Sequence, residues 1–298
     1  MSIDVVAPAR DRSSAALIIA AILWGTGGLA GNLLALQTGL HPLSVAAYRL
    51  LLGGGLAVAL LALSGGLRQL PRTRAAARRI LVTGALLGFY QSGYFIAVQY
   101  ISVGMATMAT IGMLPVFVAI GAGIRNRRRP DPTSLLSITI ALTGLTLLTW
   151  SRIGTTTGWH LLLGTAFALA SAVGFAALTL LTTTPVPHLN PLRTTAFGML
   201  TGGLLLTPLA LTVGMPLPLT PTTLTTAAYL GAFPTAIAYT AYFHGLRTAT
   251  PLFASLAALL EPLTATLLSI VVLHDHLSPW GWSGAALLIT ALTLNPRR

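Results

Sequence analysis

The chain has 298 residues, of which 54% are hydrophobic and only 7% are charged. Five acidic residues cannot cover the surface of a soluble protein this large, and apolar runs of about 20 residues recur along the chain. We therefore expect a polytopic integral membrane protein. The sequence contains no cysteine and no lysine, which excludes disulfides, thiol nucleophiles and lysine-dependent chemistry.

Breaks made of proline, glycine and polar residues divide the chain into ten apolar segments. The first run is too long for the hydrophobic part of a signal peptide and lacks a clear cleavage site, so we predict a retained helix. The segments are continuously apolar, without the alternation that is typical of outer-membrane strands. The ten predicted spans are 14–36, 42–63, 79–99, 103–124, 133–150, 158–181, 191–213, 222–244, 250–273 and 279–295.

The placement of arginine predicts the orientation of these spans. If the N-terminus is cytoplasmic, fifteen of the seventeen arginines lie in cytoplasmic segments. Arg152 is then the one external arginine, and Arg49 lies within a span. This bias predicts a protein of the cytoplasmic membrane with both termini in the cytoplasm. It also explains the basic run "RNRRR" at 125–129 as a topological anchor, so we expect no nucleic-acid partner. Four tryptophans lie at predicted external ends of spans, as an aromatic belt would: Trp150, Trp159, Trp280 and Trp282.

The two halves of the chain resemble each other. "HPLSVAAYRLLLGGGLA" from His41 is similar to "NPLRTTAFGMLTGGLLL" from Asn190, and Pro115 and Pro262 occupy similar places 147 residues apart. We predict two repeats of five helices, 14–150 and 158–295. Because five is odd, the second repeat enters the membrane from the opposite side. Inverted repeats are typical of secondary transporters, whose binding sites lie near the midplane between the halves.

Several stretches in this order resemble EamA-type transporters of the drug/metabolite transporter superfamily. They are "ILWGTGGLAGNLL" in the first helix, "YFIAVQYISVGMATMATIGMLPVF" in the first half and "AYFHGLRTATPLFASLAALLEPLTATLLSIVVL" in the second. The resemblance implies ten helices in two inverted five-helix bundles around a central cavity. It also implies export or uptake of small molecules, usually amino acids, related metabolites or drugs. The family often has an acidic residue just after helices 4 and 9. Asp275 is the candidate in the second half, and the first half has only Asp131.

Glu261 lies near the middle of a predicted span and is followed by Pro262. An ionisable residue inside a membrane is a functional-site hypothesis. Glu261 could bind a substrate amine, carry a coupling proton, or serve a structural role by capping a helix or pairing with Arg49. Pro262 removes a backbone hydrogen bond, which we expect to leave a carbonyl near residue 258 free to face a cavity. Pro115 and Pro234 are the other predicted helix breaks.

Arg49 lies about two turns inside the second span, and the sequence leaves two roles open. It could hold a substrate carboxylate bidentately and form a clamp for zwitterions together with Glu261. It could instead make a fixed contact with a helix end or a carboxylate.

The remaining polar residues within spans predict a cavity among helices 1, 3, 6 and 8. The alternative is aromatic packing with hydroxyl groups bonded across helices. The candidate substrate-binding or coupling residues are Trp24, Asn32, Tyr90, Gln91, Tyr94 and Tyr239, with Gln99 and Tyr242 as further polar positions.

Two other patterns receive structural interpretations. Gly27 and Gly31 have the spacing of close helix packing. The motif "HDH" at 274–276 has two histidines and a carboxylate, but adjacent ligands rarely complete a coordination shell, so we expect no metal and no cofactor.

We predict a secondary transporter, an exporter of amino acids or related metabolites or drugs that works by alternating access. It is not an enzyme, because the buried charges do not supply a convergent catalytic set. Its partners are a small solute, zwitterions included, the lipid bilayer and a candidate coupling proton. The chain acts as a monomer or a homodimer. The alternatives are a non-transporting membrane sensor or scaffold, and an intramembrane lipid-handling protein.

Overall fold

The computed structural model describes residues 7–149, 158–273 and 276–294. These residues form helices and connecting loops, with one short 3₁₀ turn at Gly66–Gln69. Trp150, Arg152, His274 and Asp275 lie outside the described residues. The helices are α1 Ala7–Thr38, α2 Pro42–Leu63, α3 Arg74–Tyr100, α4 Val103–Asn126, α5 Pro132–Thr149, α6 Gly158–Thr182, α7 Pro191–Val213, α8 Pro221–Gly231, α9 Ala238–Gly245, α10 Pro251–Ala258, α11 Leu260–Leu273 and α12 Pro279–Leu294.

Most helix starts share one local device, a polar capping residue followed by proline or by an apolar run. Asn190 precedes Pro191, and its Oδ1 accepts a 2.9 Å hydrogen bond from the backbone N–H of Arg193. Thr250 caps α10 in the same way before Pro251. The side chain satisfies an N–H that has no partner inside the helix, and proline is preorganised for the first helical position. The other side-chain caps are His41, Thr73, Ser102, Asp131, Thr220 and Ser278.

Eight helical segments in the described ranges are long and apolar enough to cross a membrane. They comprise α1 from Ser13, α2 to α7, and the combined α10–α11 segment Pro251–Val271. Large apolar side chains such as those of Leu60, Ile124 and Val271 are exposed on the outside of the bundle. An apolar outer surface around an all-helical bundle identifies an integral membrane protein. The predicted spans 222–244 and 279–295 correspond to the interrupted α8–α9 segment and to α12, which has 16 residues.

The three predicted helix breaks behave differently. Between α8 and α9, residues Ala232–Ile237 form a π turn centred on Pro234. Before Pro262, the helix is interrupted at Leu259, between α10 and α11. By contrast, α4 runs continuously through Pro115, so the structure shows no helix break at this residue, where the sequence predicted one. A proline inside a helix removes one hydrogen bond, and the packing around it decides whether the helix also changes its path.

Helix packing follows a regular pairing of the two halves of the chain. The main pairs are α2 with α7, α5 with α12, α3 with α6 and α7, α4 with α6, and α1 with α9 and α11. Glycine allows the closest approaches. A Cβ atom on Gly203 of α7 would lie 2.8 Å from the backbone N of Leu51 in α2, and one on Gly144 of α5 would lie 2.8 Å from the carbonyl oxygen of Gly284 in α12.

Arginine-bearing segments meet at one end of the bundle, here called the arginine end. Arg79 at the start of α3 and Arg125 near the end of α4 both bond to carbonyls at the end of α6. Arg193 donates to the carbonyl of Gly66. The hydroxyl of Thr248 donates to the hydroxyl of Ser13. The other end is held by contacts such as the hydrogen bond from the Tyr48 hydroxyl to the carbonyl of Met215.

Candidate functional site

A cavity of about 230 Å³ lies among α1, α3, α4 and α11, and Glu261 is part of its wall. We call it the Glu261 cavity. Its lining extends along α1 from Trp24 to Asn32 and reaches Val103 at the start of α4, so it occupies the half of the bundle away from the arginine end. The sequence predicted a cavity among helices 1, 3, 6 and 8. The structure instead places α4 and α11 in the wall.

Four of the predicted polar residues line this cavity: Trp24, Asn32, Tyr94 and Glu261. The hydroxyl groups of Tyr94 and Thr107 are 2.8 Å apart and form a hydrogen bond across α3 and α4. Pro262 also lines the cavity, whereas Ala258 is buried and is not part of the wall. The proline therefore shapes this wall, but the carbonyl expected near residue 258 does not border the space.

Glycines on α1 allow the helix that carries Glu261 to come close. A Cβ atom on Gly25 would lie 2.8 Å from the carbonyl oxygen of Glu261 and 2.6 Å from the Cβ of Thr264. A Cβ atom added to Gly27 would lie 2.9 Å from the Cβ of Pro234, whereas one added to Gly31 would come no closer than 3.8 Å, to Val45. Close packing therefore explains Gly25 and Gly27, and Gly31 makes an ordinary van der Waals contact.

Next to the Glu261 cavity, buried aromatic rings from α1, α6 and α9 form a closely packed aromatic layer. The Trp24 ring centroid lies 5.0 Å from that of Tyr242, 5.1 Å from that of Tyr239 and 5.6 Å from that of Phe175. Phe243 extends the layer, 5.6 Å from Tyr242. These are edge or tilted arrangements, which aromatic pairs favour. The helices that were expected to line a cavity therefore pack against one another here through their rings.

Tyr90 and Gln91 join this layer from α3. The Tyr90 ring stacks on that of Phe175 with centroids 4.6 Å apart. The Nε2 of Gln91 donates a 3.0 Å hydrogen bond to the hydroxyl of Tyr239. Thr179 and Tyr242 share a 2.9 Å hydrogen bond between their hydroxyls. Hydroxyl and amide groups thus bond across helices inside the aromatic layer.

Two buried polar atoms near the cavity have no hydrogen-bond partner among the described residues. They are the Nε1 of Trp24 and the Oε1 of Gln91. A buried donor or acceptor left unpaired usually costs about 1–3 kcal/mol of stability. Trp24 also lines the Glu261 cavity, but its indole Nε1 is itself buried.

Arg49 is buried but does not belong to the lining of the Glu261 cavity. Its Nε donates a 3.0 Å hydrogen bond to the hydroxyl of Thr235, and its Nη2 donates a 3.1 Å bond to the carbonyl of Pro234. Arg49 therefore binds the π turn between α8 and α9. This is the fixed helix contact that the sequence left open, and no ion pair joins Arg49 to Glu261 among the described residues.

A second and larger cavity, of about 720 Å³, opens at the arginine end. We call it the Arg247 cavity. Arg79 of α3, the 182–191 segment, and Phe243 and Arg247 near the end of α9 line it. Sequence reasoning missed this cavity, because its arginines were interpreted only as topological signals. The short polar connection "TTTPVPHLN" between α6 and α7, next to basic residues, is the one feature that could have indicated it.

The remaining candidates have structural contacts or lie outside the description. The Oδ2 of Asp131 accepts a 3.0 Å hydrogen bond from the N–H of Ser134 and caps α5. Gln99 contacts the Nε2 of His41 at the end of the bundle away from the arginines. Within the described ranges, no group of three histidines or carboxylates could hold a metal ion.

The fold and the cavities define a class of protein: a multi-pass helical membrane protein with two cavities, each of which includes a residue of a packed aromatic layer in its wall. The model of the EamA-like transporter family matches the chain twice, at residues 13–150 and 162–295. The chain belongs to this family, which confirms the resemblance seen in the sequence.

Two individual comparisons agree with this assignment. The "Uncharacterized transporter YwfM" of Bacillus subtilis (strain 168) is 30% identical over 278 residues, which cover 93% of this chain and 90% of that protein. A protein of known crystal structure superposes with a TM-score of 0.80 at 19% identity, covering 96% of this chain and 97% of the other. That second likeness establishes the fold alone.

Membership in the family has direct consequences for function. The protein is a transporter of the drug/metabolite transporter type, and it is not an enzyme, as predicted. A small-molecule substrate and a lipid bilayer are its partners.

Proposed function

We propose that the protein is a secondary transporter that exports amino acids or related small metabolites across the cytoplasmic membrane by alternating access. In this proposal, 14–150 and 158–295 are two inverted repeats of five spans each, and both termini are cytoplasmic. The pairing of α2 with α7 and of α5 with α12 supports it, because each pair joins corresponding helices of the two halves. The arginine end is then the cytoplasmic end.

The observation that carries the proposal is the pair of cavities separated by the aromatic layer. The Glu261 cavity includes Trp24 in its wall, and the Arg247 cavity includes Phe243. Both residues belong to the same layer and are linked through Tyr242. A transporter must keep a barrier between its two sides while it exposes its site to one of them. Moving these rings apart would join the two cavities, so the layer is the proposed barrier of this state.

Glu261 is the proposed substrate or coupling group. It is the one carboxylate in the wall of the Glu261 cavity, which Trp24 and Asn32 also line. A carboxylate in such a space can bind a protonated amine or exchange a proton with the aqueous side. The cavity volume of about 230 Å³ lies below the roughly 300–1,000 Å³ of drug-sized pockets. We therefore favour a solute of amino-acid size.

The other candidate residues take supporting roles in this proposal. Arg49 holds the π turn, so it positions α8 and α9 and does not clamp a substrate carboxylate. Tyr90, Gln91 and Tyr239 belong to the barrier through their rings and the bond between Gln91 and Tyr239. Tyr94 contributes to the wall through its hydrogen bond with Thr107.

The test of transport uses purified protein in proteoliposomes, with and without a pH gradient, offered a mixed pool of amino acids and metabolites. Accumulated solutes are identified by mass spectrometry. We expect a solute that accumulates only with the wild-type protein and whose uptake is lost in Glu261→Gln. Asp131→Asn is the matched control, because Asp131 is an exposed acid that lines neither cavity, and asparagine also caps helices well.

The results separate the parts of the proposal. Wild-type transport that Glu261→Gln leaves unchanged across a pH series would remove Glu261 from both roles. Transport that is independent of the pH gradient would exclude proton coupling and leave facilitated exchange. A folded protein that accumulates nothing from the pool would contradict the proposed substrate class.

The proposed orientation has its own test, because the cysteine-free chain accepts a single reporter thiol. Asn32→Cys places the thiol in the Glu261 cavity, and Val186→Cys places it in the Arg247 cavity. In intact cells, a membrane-impermeant thiol reagent should label position 32, and position 186 should react only after the cells are opened. The reverse pattern would invert the proposed topology.

A further inference from the structure

The charged side chains that line the Arg247 cavity are all basic. Among the residues that line it are Arg79, Arg247 and His188, and no aspartate or glutamate is among them. Threonine hydroxyls and the Asn190 side chain add neutral polar groups to the same wall. A concave surface lined by charges of one sign attracts counter-ions and raises their local concentration.

Arg79 has few N–H groups left for a ligand, because its guanidinium already donates to backbone carbonyls. Its Nη1 donates a 2.7 Å hydrogen bond to the carbonyl of Leu181, and its Nη2 donates a 2.8 Å bond to that of Thr184. Arg125 donates a 2.9 Å bond to the neighbouring carbonyl of Leu180. The last carbonyls of α6 would otherwise place negative partial charge beside the cavity. These two arginines more than offset that partial charge, so the end of α6 does not make the cavity wall negative.

Arg247 is in the opposite situation. Its side chain is exposed in the cavity wall, and among the residues that the structure describes it has no side-chain hydrogen bond or ion pair. The first turn of α7, with Pro191 and Thr194, lies in the same wall. The N-terminus of this 23-residue helix carries positive partial charge, which adds to that of the free guanidinium.

We propose that the Arg247 cavity is a binding site for an anionic group, a carboxylate or a phosphate, with Arg247 as its principal charged contact. A guanidinium with free N–H groups matches the paired oxygens of either anion. The anion belongs either to a soluble solute at the arginine end or to the headgroup of an anionic lipid. This inference goes beyond the proposed transport function, since an anion can bind here whether or not a solute crosses the membrane.

The experiment measures the reactivity of one thiol in the cavity wall. Val186→Cys introduces the only thiol of the chain, and its labelling rate is followed with an anionic and with a cationic methanethiosulfonate reagent. The protein is purified in neutral detergent, and ionic strength is held constant. We expect the anionic reagent to react faster, and inorganic phosphate or acetate to slow labelling.

Variants assign the effect to Arg247. In the Val186→Cys background, Arg247→Gln should reduce the preference for the anionic reagent roughly tenfold, and Arg247→Lys should retain most of it. Arg128→Gln is the control, because Arg128 is exposed on a neighbouring loop and does not line the cavity. An equal reduction by Arg128→Gln would mean that only the general charge of this end is sensed, and it would overturn the site.

Lipid composition distinguishes the two sources of the anion. In nanodiscs of phosphatidylcholine, protection of the thiol by free phosphate or acetate would assign the site to a soluble anion. Protection that appears only when phosphatidylglycerol is added would assign it to a lipid headgroup. If neither free anions nor phosphatidylglycerol protect the thiol, the proposal fails. The protection assay needs no arginine variant, so it remains decisive even if Arg247→Gln does not fold.

Discussion

The Nε of Arg49 in α2 donates a 3.0 Å hydrogen bond to the hydroxyl of Thr235, in the π turn between α8 and α9. Thr235 in turn donates a 2.7 Å bond to the carbonyl of Leu230, and Arg49 also reaches the carbonyl of Pro234. An arginine within a span needs polar partners, and backbone displaced by a proline needs donors. Arg49 supplies the donors and the π turn supplies the polar partners, so Arg49 stabilises the path of the α8–α9 segment.

Thr235→Val should destabilise the protein, because it removes the acceptor of Arg49 and the donor to Leu230 while keeping the side-chain shape. Removing one partner of a buried charged hydrogen bond typically costs about 1–3 kcal/mol. We expect a lower thermal unfolding midpoint in detergent micelles. Thr235→Ser retains the hydroxyl and should unfold close to the wild-type temperature. Equal midpoints for wild type and valine variant would show that the bond adds nothing to stability.

Gly27→Ala tests the close contact between α1 and the same π turn. An added Cβ would lie 2.9 Å from the Cβ of Pro234 and 3.5 Å from the Nη2 of Arg49. Overpacking of this kind usually costs about 1–3 kcal/mol, so the unfolding midpoint should fall. Gly55→Ala is the matched control, because no atom lies within 4 Å of the position of its added Cβ. If both alanine variants unfold together, the contact at Gly27 is not tight in the folded protein.

Helix starts were largely predictable from the sequence, for a local reason. A capping side chain followed by proline, as at Thr220–Pro221 or Thr250–Pro251, fixes the start of a helix through atoms within a few residues. Breaks inside helices were less predictable. Pro115 and Pro262 have similar local sequences, yet α4 continues through the first while the helix before the second is interrupted. The surrounding packing decides that difference.

The candidate site was predicted in part. The rule that polar groups within spans face the interior agrees with Glu261 and Tyr94, which are partly buried in the wall of the Glu261 cavity, whereas Asn32 lines the same cavity but is exposed. It cannot say which of them meet, because that depends on contacts between helices distant in sequence. Arg49 illustrates the limit, since its partner Thr235 is 186 residues away and has no unusual sequence signal.

His41 should make stability depend on pH at the end of the bundle away from the arginines. Its Nδ1 accepts a 3.2 Å hydrogen bond from the N–H of Leu43 and caps α2, and burial lowers the pKa of its imidazole below the ordinary 6.5. Because the pKa is lower in the folded state, the stabilisation from the His41 cap is fully present above pH 6.5. It is lost as the pH falls through the folded pKa, when Nδ1 gains a proton and can no longer accept.

The measurement compares the thermal unfolding midpoint of the wild-type protein with that of His41→Asn at pH 8 and at pH 5. Asparagine supplies a capping oxygen that does not titrate in this range. The wild-type midpoint should fall more than that of the variant on acidification. Parallel decreases would assign the pH dependence to other groups.

Trp24→Phe separates packing from binding in the Glu261 cavity. The indole Nε1 of Trp24 has no partner among the described residues, so its removal leaves no acceptor unpaired in the protein itself. Phenylalanine retains a ring against Tyr239 and Tyr242. The unfolding midpoint without substrate should therefore fall only slightly, because removing the unpaired buried N–H offsets part of the lost packing. If the indole N–H becomes accessible when the aromatic layer opens and donates to the solute, its loss should weaken apparent affinity roughly threefold to tenfold.

Phe175→Leu provides the contrast, because Phe175 packs against Trp24 in the aromatic layer but does not line the Glu261 cavity. Removing its ring should lower the unfolding midpoint while leaving the affinity for the transported solute near the wild-type value. Opposite profiles for the two variants would assign Trp24 to substrate binding and Phe175 to the barrier. If Trp24→Phe behaves like Phe175→Leu, with lower stability and unchanged affinity, the indole N–H has no role in binding. The recognition of the solute would then rest on Glu261 and the polar groups around it.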